Sequence, residues 1–437
     1  MSTETAPQSS LAFKWWLCIL LLLATTLNSM DRQALSQTSK RVQRYFEISN
    51  QELGTLESAF NAAFAIGALG IGWLVDRGNV RWIYPIAVVG WSMAGFAAGF
   101  AESYWFLLAC RFWLGLFEAG NWPCGVLTVK RVLKPEARTL GNGMLHSGIA
   151  IGAITTPLVV NFCLWLTDSP PDSKEAIAWQ LPFRVVGAAG LLWAVLWLLS
   201  VRSAQVRPPA PVPNAVHESY WSLWRLRRFW VLIVVIVSIN LTWRSFQFWL
   251  PKFLQDGRNY SEKTANYLSS GFFVAADVGS ISIGLLTLWL LRRGVGSFRV
   301  RMLCFGIGST LTMFSLVAAA LPPGLGLIMA LFAVGAGAAS LFPTYFALSQ
   351  EISAKHQGKV TGTLGCVNAL CLSVLFPVQG KLIDYTGSFT FALGIAGLKP
   401  IFGLLAVALF WNRQPKIGTA KPRKPKKKRK RRKAKRR

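Results

Sequence analysis

The sequence predicts an all-α membrane protein in which twelve transmembrane helices form two six-helix bundles around a central cavity. One observation is the composition: the 437 residues are 53% hydrophobic and only 15% charged, whereas about a quarter of the residues in a soluble protein carry charge. The other is that the apolar residues fall into about twelve blocks of roughly 20 residues, the length of an α-helix that crosses a bilayer. Strands of a membrane β-barrel are only about ten residues long, so a barrel is excluded.

The predicted spans follow one another through the chain with mostly short connections. The first block resembles a signal peptide, but it has no small-x-small cleavage site and continues into polar residues, so we interpret it as a retained helix. The twelve spans are residues 13–34, 52–75, 81–101, 104–129, 139–166, 182–201, 229–251, 264–291, 301–321, 324–349, 358–384 and 389–412.

A repeat within the chain predicts how these spans are organised. Small residues and prolines of the fourth and fifth spans recur 220 residues later, in the tenth and eleventh. The pairs are Gly115 and Gly335, Ala119 and Ala339, Pro123 and Pro343, and Pro157 and Pro377. An offset of six spans preserves orientation, so the two halves are predicted to be parallel repeats that enclose a cavity.

The domain boundaries follow from the repeat and from a proline-containing segment between the halves. We expect an N-terminal six-helix bundle over residues 1–201, a cytoplasmic linker over 202–226 and a C-terminal six-helix bundle over 227–412. Residues 413–437 are predicted to form a disordered, polybasic cytoplasmic tail.

The positions of Lys and Arg predict the orientation of the chain. Basic residues concentrate in every second loop, which is typical of the cytoplasmic side. One loop does not fit this pattern, because Lys40, Arg41 and Arg44 follow the first span. We expect an integral plasma-membrane protein with both termini in the cytoplasm. The residues that set this orientation are Arg77, Arg81, Lys130, Arg131, Lys134, Arg138, Arg202, Arg207, Arg225, Arg227, Arg228, Arg292, Arg293, Arg299 and Arg301.

The tail holds much of the positive charge. Of the 47 Lys and Arg residues, 16 lie in residues 413–437, which leaves +13 of the formal net charge of +29 for the rest of the chain. A basic segment next to a membrane is expected to lie on anionic lipid headgroups. A solvated tail that only fixes the topology is an equal alternative. No nucleic-acid partner and no obligate protein partner are predicted.

Charged residues inside the spans are candidate functional residues, because each costs at least about 2.5 kcal/mol to place at the bilayer centre. Arg111 and Glu118 are two helical turns apart, with Asn121 one turn further along the same face. This spacing suits the lining of a cavity, and Arg111 and Asn121 are predicted to contact the substrate, as is Arg244 of the seventh span. A buried structural ion pair is the alternative for Arg111 and Glu118. The charged set is Asp31, Arg32, Arg111, Glu118, Arg244, Asp277, Lys381, Asp384 and Lys399.

Other members of this set also have structural alternatives. Asp31 and Arg32 could lie at the outer membrane interface, and Arg244 could extend its guanidinium to the membrane surface. Lys381 and Asp384 are expected in interhelical contacts at the interface between the bundles.

Metal and enzyme chemistry are not predicted. The seven cysteines lie in apolar blocks without CxxC or Cys/His spacing, so neither a metal site nor a cofactor is expected. The sequence contains no HExxH motif, no P-loop and no nucleophile with a nearby base, so we expect a protein that is not an enzyme and does not use ATP.

The loop after the second span resembles the signature of the major facilitator superfamily. Gly72, Leu74, Asp76, Arg77 and Arg81 match the pattern G-x-L-x-D-R-x-G-x-R, with Asn79 in place of the second glycine. The resemblance implies the major facilitator fold and a gating latch in which Asp76 pairs with a neighbouring helix. The corresponding loop in the second half lacks the Asp, since Leu288 stands there.

Two further segments are similar to the anion:cation symporter branch of that superfamily. These are residues 30–36, Met-Asp-Arg-Gln-Ala-Leu-Ser, and residues 111–123, from Arg111 to Pro123. The resemblance implies that Asp31 and Glu118 are protonation sites and that Arg32 contacts a substrate carboxylate. It also implies that Arg111 assists Glu118 and that Asn368 contacts substrate hydroxyls. Arg244 occupies a position where hexuronate-type members are expected to have an aromatic residue.

The residues and the resemblance together predict proton-coupled symport of a small organic anion, with a sugar acid such as a hexuronate, aldonate or aldarate as substrate. The guanidinium group of Arg is permanently charged and can donate two parallel hydrogen bonds to a carboxylate. A buried carboxyl group can carry the coupled proton. The alternatives are a non-transporting membrane sensor on the same fold and a carrier for another organic anion.

Overall fold

The computed structural model describes residues 11–133, 135–167, 176–202, 206, 224–349, 352 and 357–411. In these ranges the chain is helical, and nine segments are long and apolar enough to cross a membrane. The helices are α1 (Leu11–Gln37), α2 (Ser39–Phe46), α3 (Asn50–Arg77), α4 (Val80–Ala98), α5 (Tyr104–Glu118), α6 (Asn121–Val132), α7 (Pro135–Thr167), α8 (Ala176–Ser200), α9 (Arg227–Lys252), α10 (Glu262–Arg292), α11 (Ser297–Ala320), α12 (Leu325–Ser349), α13 (Gln357–Thr386), α14 (Phe389–Ala396) and α15 (Pro400–Phe410).

Two of the predicted spans are broken helices. The fourth span is divided into α5 and α6, and the twelfth into α14 and α15. Each break precedes a proline, Pro123 or Pro400, which has no N–H to donate to the carbonyl four residues earlier. Pro343, the repeat partner of Pro123, lies within the continuous helix α12. The matched prolines therefore differ in their effect on the backbone.

The repeated glycines make the same kind of contact in both halves. A Cβ atom on Gly115 would lie 2.1 Å from the carbonyl oxygen of Phe60, so α5 lies directly against the backbone of α3. A Cβ atom on Gly335 would lie 2.9 Å from the carbonyl oxygen of Phe272, which places α12 against α10 in the same way. The boundary at residues 202–226 stays a prediction, because most of that segment lies outside the described residues.

Contacts between the two halves concentrate at the end of the molecule that carries α2, which we call the α2 end. The Arg41 guanidinium binds both oxygens of Glu262 at 2.8–3.0 Å. Both side chains are buried, with 4% and 8% exposed. The Lys40 ammonium lies 2.7 Å from Asp256. Lys40 and Arg41, which do not fit the charge pattern of the loops, are therefore neutralised by acidic residues of the other half.

Asp384 adds a further contact at the α2 end. Its carboxylate accepts hydrogen bonds from the backbone N–H groups of Asn50, at 3.1 Å, and Gln51, at 2.8 Å. It therefore joins the end of α13 to the positively polarised start of α3. The Asn50 side-chain amide also donates to it, at 2.6 Å, so Asp384 makes an interhelical contact at the interface through both the backbone and a side chain of α3.

The helix contacts between the halves are closest at the α2 end. In α7, Asn161 accepts a 2.7 Å hydrogen bond from Asn266 of α10. In α13, a Cβ atom on Gly380 would meet the carbonyl oxygen of Asn50. Gly143 and Gly362 lie five turns away on the same faces of α7 and α13, and no described atom lies within 4 Å of their Cβ positions. The halves still touch in this direction, because the rings of His146 in α7 and Phe346 in α12 meet edge to face with 6.3 Å between their centres.

The Arg41–Glu262 pair is expected to stabilise this conformation. Removing one partner of a buried ion pair costs about 3–5 kcal/mol, because the other charge is left uncompensated. Arg41→Glu should therefore lower the melting temperature in detergent, and Arg41→Glu combined with Glu262→Arg should restore most of it. The control is Lys263→Ala, at the neighbouring exposed side chain. A swapped pair no more stable than Arg41→Glu alone would contradict this role.

Candidate functional site

A small cavity lies between the two halves, in the parts of α1, α3, α9 and α13 that are nearer the α2 end. Two arginines and one glutamate lie in its wall, with two phenylalanine rings beside them. The lining residues are Arg32, Gln33, Ser36, Glu57, Arg244, Gln247, Phe248 and Phe376. The cavity thus combines cationic donors with carboxylate and amide acceptors.

Arg32 and Glu118 form an ion pair between α1 and α5. The Nη2 and Nε atoms of Arg32 donate to Oε2 of Glu118 at 2.8 and 3.2 Å. The Glu118 side chain is buried and that of Arg32 is 16% exposed. Oε1 of Glu118 has no hydrogen-bond partner among the described residues. One oxygen of this carboxylate is therefore free to take up a proton while the other stays bound to Arg32.

The ion-pair partner of Arg111 is Glu57 rather than Glu118, and the expected assistance of Glu118 by Arg111 stays a prediction. The Nη2 atom of Arg111 donates to Oε2 of Glu57 at 2.5 Å, and both side chains are at least 95% buried. Although two helical turns place Arg111 and Glu118 on one face of α5, the choice of partner depends on how α3 packs against that face.

Glu57 is a site residue that the sequence analysis missed. The available signal was an acidic residue in the first third of the predicted span 52–75. Its carboxylate lies in the cavity wall.

The two ion pairs are joined by an aromatic ring. The guanidinium carbon of Arg32 lies 4.8 Å from the centre of the Phe60 ring, and that of Arg111 lies 4.9 Å from it. Cations are attracted to the face of an aromatic ring, so Phe60 accommodates two like charges near each other. Gly115 permits this arrangement, because it lets α5 approach the backbone of Phe60.

Arg244 of α9 extends into the cavity wall rather than to the membrane surface. Its Nη1 atom donates to Oε1 of Gln247 at 2.6 Å. No carboxylate binds Arg244 in the described part of the chain, although each of the other two arginines of the cluster has one. Arg244 is therefore the arginine of this site that forms no salt bridge in the described chain.

Asp31 faces away from its neighbour Arg32. Its carboxylate is 1% exposed and has no hydrogen-bond partner among the residues that the structure describes. Its Oδ1 atom lies 2.7 Å from the Cβ position of Gly95, so it points towards α4, inside the N-terminal half. Successive residues of an α-helix point about 100° apart, which is why the two charges occupy different environments.

The two asparagines of the predicted site are not brought into the cavity wall. Asn121 is 4% exposed. Its Oδ1 atom accepts a 2.7 Å hydrogen bond from Tyr84, and its Nδ2 atom donates to Thr25 at 3.3 Å. Its polar atoms are thus occupied within the N-terminal half, and its predicted contact with the substrate stays a prediction. Asn368 is half-buried in α13, and its Oδ1 atom has no partner among the described residues.

The predicted gating latch is described only in part. Gly72 lies in α3, and the side chains of Asp76 and Arg77 lie outside the described residues. The Arg81 guanidinium lies 5.2 Å from the Trp82 ring, and the Arg81 carbonyl accepts a hydrogen bond from Trp197. The latch therefore stays a prediction.

The described residues contain no group of three or more His, Cys, Asp or Glu placed to hold a metal ion. The polar cluster at the cavity is made instead of arginines, glutamates and amides. These groups can bind an organic anion and exchange a proton.

Comparisons with known proteins agree with this fold. The probable L-galactonate transporter of Escherichia coli (strain K12) is 25% identical over 420 residues, which cover 91% of this chain and 89% of that protein. The probable galactarate/D-glucarate transporter of Bacillus subtilis (strain 168) is 26% identical over 432 residues and 91% of each chain.

A bacterial homologue of the human lysosomal transporter Spinster, solved in an inward-facing conformation, superposes with a TM-score of 0.71 at 20% identity, over 92% of this chain and 96% of that one. The sequence model of the Major Facilitator Superfamily matches residues 21–375. This multi-pass membrane protein, a transporter and not an enzyme, therefore belongs to the Major Facilitator Superfamily.

Proposed function

We propose that the protein is a proton-coupled symporter of a sugar acid. The observation that carries the proposal is the charge arrangement of the cavity, where Arg244 has no carboxylate partner among the described residues and Arg32 is bound by Glu118. The cavity thus contains one cation available to an anion and one whose availability depends on a proton.

The substrate carboxylate would bind at Arg244. Placing an unpaired cation deep within a membrane is costly, and an anion in the cavity offsets that cost. Guanidinium groups bind carboxylates through two parallel hydrogen bonds, which fixes orientation as well as charge. Arg32 lies in the same cavity wall and could supply a second set of donors.

Proton coupling would operate through Glu118. When Glu118 takes up a proton, its attraction to Arg32 weakens, and Arg32 becomes available to the substrate anion. Release of the proton restores the Arg32–Glu118 pair and favours substrate release. Asp31, buried and without a partner in the described chain, is a second candidate for carrying a proton.

The relatives support the sugar-acid class, since they are a probable L-galactonate transporter and a probable galactarate/D-glucarate transporter. Asn368 remains a proposed contact to substrate hydroxyls, on the basis of the sequence resemblance. The latch residues Gly72, Asp76, Arg77 and Arg81 remain proposed as a gate.

The proposed setting is the plasma membrane, with both termini in the cytoplasm. The α2 end is then the outer end, and the pairs Arg41–Glu262 and Lys40–Asp256 join the two halves there. The chain is proposed to divide into bundles at residues 1–201 and 227–412 and to place its tail, residues 413–437, on anionic lipid headgroups.

Counterflow in proteoliposomes tests transport itself. Vesicles loaded with unlabelled L-galactonate should accumulate external labelled L-galactonate transiently, whereas protein-free vesicles should not. Competition by hexuronates, aldonates and aldarates would then rank the substrates. Specific binding of L-galactonate without counterflow would contradict transport and favour a sensor. Counterflow that a non-sugar organic anion supports and sugar acids do not would contradict the substrate class.

A further inference from the structure

We infer that Glu57 determines specificity by accepting hydrogen bonds from substrate hydroxyl groups. This inference rests on the proposed function, and it narrows the substrate to polyhydroxylated carboxylates. Glu57 lies on α3 in the wall of the cavity that also contains Arg32 and Arg244. A carboxylate in the wall of an anion site repels the anionic end of the substrate. Glu57 is therefore expected to contact a different part of the substrate.

The hydrogen bonds of Glu57 leave part of its acceptor capacity unused. Oε2 is bound by Arg111. Oε1 receives only the Asn61 amide, at 3.5 Å, the outer limit of a hydrogen bond. An ionised carboxylate has about four acceptor positions, and these two contacts do not fill them.

A second acceptor in the same wall is also unsatisfied. Gln33 is 1% exposed, and its Oε1 atom has no hydrogen-bond partner in the described chain. Its Nε2 atom is occupied by Ser29. The cavity wall therefore contains two acceptor groups with unused capacity, Glu57 and Gln33, beside the guanidinium groups of Arg32 and Arg244.

A sugar acid satisfies both requirements within one molecule. Its carboxylate accepts hydrogen bonds from arginine, and the hydroxyls on its remaining carbons donate to the carboxylate and amide oxygens. An anion without hydroxyls leaves these buried acceptors unpaired. Sites built to bond a substrate hydroxyl discriminate strongly against analogues that lack it, for this reason.

Arg111 positions Glu57 for this role. It is 1% exposed, and Glu57 is the carboxylate that its guanidinium binds in the described chain, where its Nε and Nη1 atoms have no hydrogen-bond partner. The pair holds the carboxylate at the cavity wall and prevents Glu57 from pairing with Arg244 in place of the substrate.

Calorimetric binding to the purified full-length protein in detergent tests the inference with two probes of equal carbon number. L-Galactonate carries hydroxyls on every carbon beyond the carboxylate, and hexanoate carries none. The wild-type protein should bind L-galactonate at least about tenfold more tightly than hexanoate. Glu57→Gln should reduce this ratio at least about fivefold, since a hydrogen bond to a charged group is stronger than one to a neutral group by about 1 kcal/mol or more.

Two further variants separate specificity from folding. Glu57→Gln combined with Arg111→Gln replaces the ion pair by two amides, leaves no unpaired buried cation, and should lose discrimination in the same way. Glu52→Gln, at a glutamate of the same helix that caps its start at the α2 end, should keep the wild-type ratio.

The outcomes distinguish this inference from the proposed function. Wild-type protein that binds hexanoate as tightly as L-galactonate would overturn the inference, and so would a double variant that keeps the wild-type ratio. Wild-type protein that binds neither probe and transports no sugar acid would overturn the proposed function itself.

Discussion

Arg244→Ala is expected to abolish sugar-acid binding, with at least about a 100-fold loss of affinity for L-galactonate. Arg244 is the arginine of the cavity without a carboxylate partner in the described chain, so the bound anion is its expected counter-ion. Loss of one partner of a buried, hydrogen-bonded charge pair costs about 2–5 kcal/mol or more. Arg244→Lys should recover only part of the affinity, because an ammonium cannot donate two parallel hydrogen bonds to the carboxylate as a planar guanidinium does.

The control for this experiment is Arg293→Ala, which removes an exposed arginine from the connection between α10 and α11. It should bind L-galactonate like the wild type. Because Arg244 donates to the neutral amide of Gln247, its removal leaves no protein charge unpaired, and the variant should fold. Wild-type affinity in folded Arg244→Ala would show that the carboxylate binds elsewhere.

Arg32→Ala is also expected to lose binding, but with a different signature. It leaves Glu118 buried without its cation, so a loss of thermal stability should accompany the loss of affinity. The melting temperature should therefore fall more in Arg32→Ala, which breaks an ion pair, than in Arg244→Ala, which does not. Equal stability losses in Arg32→Ala and Arg244→Ala would contradict this distinction.

Glu118→Gln is expected to eliminate accumulation driven by a proton gradient while retaining counterflow. The amide resembles the protonated carboxyl in size and in hydrogen bonding, but it cannot release a proton. Because the neutral amide no longer binds Arg32 as an ion pair, the substrate site should stay available. The ratio of internal to external L-galactonate should then approach one under an imposed gradient.

A Glu118→Gln carrier that still concentrates L-galactonate would show that Glu118 is a structural partner of Arg32. Asp31→Asn would then be the informative variant, because Asp31 is a buried acid whose carboxylate has no hydrogen-bond partner in the described residues. Coupling carried by Asp31 predicts that Asp31→Asn loses accumulation and Glu118→Gln does not.

Most of the helical architecture was predictable because the membrane constrains it. An apolar block of about 20 residues has few alternatives to a transmembrane helix. The breaks before Pro123 and Pro400 were harder to predict, since Pro343 occupies an equivalent position in the repeat and leaves its helix continuous. Whether a proline interrupts a helix depends on neighbours that compensate for the lost hydrogen bond, and these are tertiary features.

The sequence predicted which residues belong to the site better than it predicted which of them pair with each other. Charges are rare in apolar spans, so Arg32 and Glu118 were conspicuous in the sequence. Their pairing joins α1 to α5 and has no signature in residue spacing. Glu57 was missed because a single acidic residue near the start of a span resembles a helix-end charge. Asn121 shares a face with Glu118, but Tyr84 of α4 occupies its amide, a contact that only the packed structure reveals.

We propose that the energy of a proton gradient drives a sugar acid through this cavity. Uptake of labelled L-galactonate into wild-type proteoliposomes with an imposed inward proton gradient tests this coupling. We expect accumulation above the external concentration, collapse of that accumulation on adding a protonophore, and no accumulation under an inward sodium gradient alone. Uptake that only equilibrates L-galactonate whatever the proton gradient, or that follows the sodium gradient instead, would contradict the account.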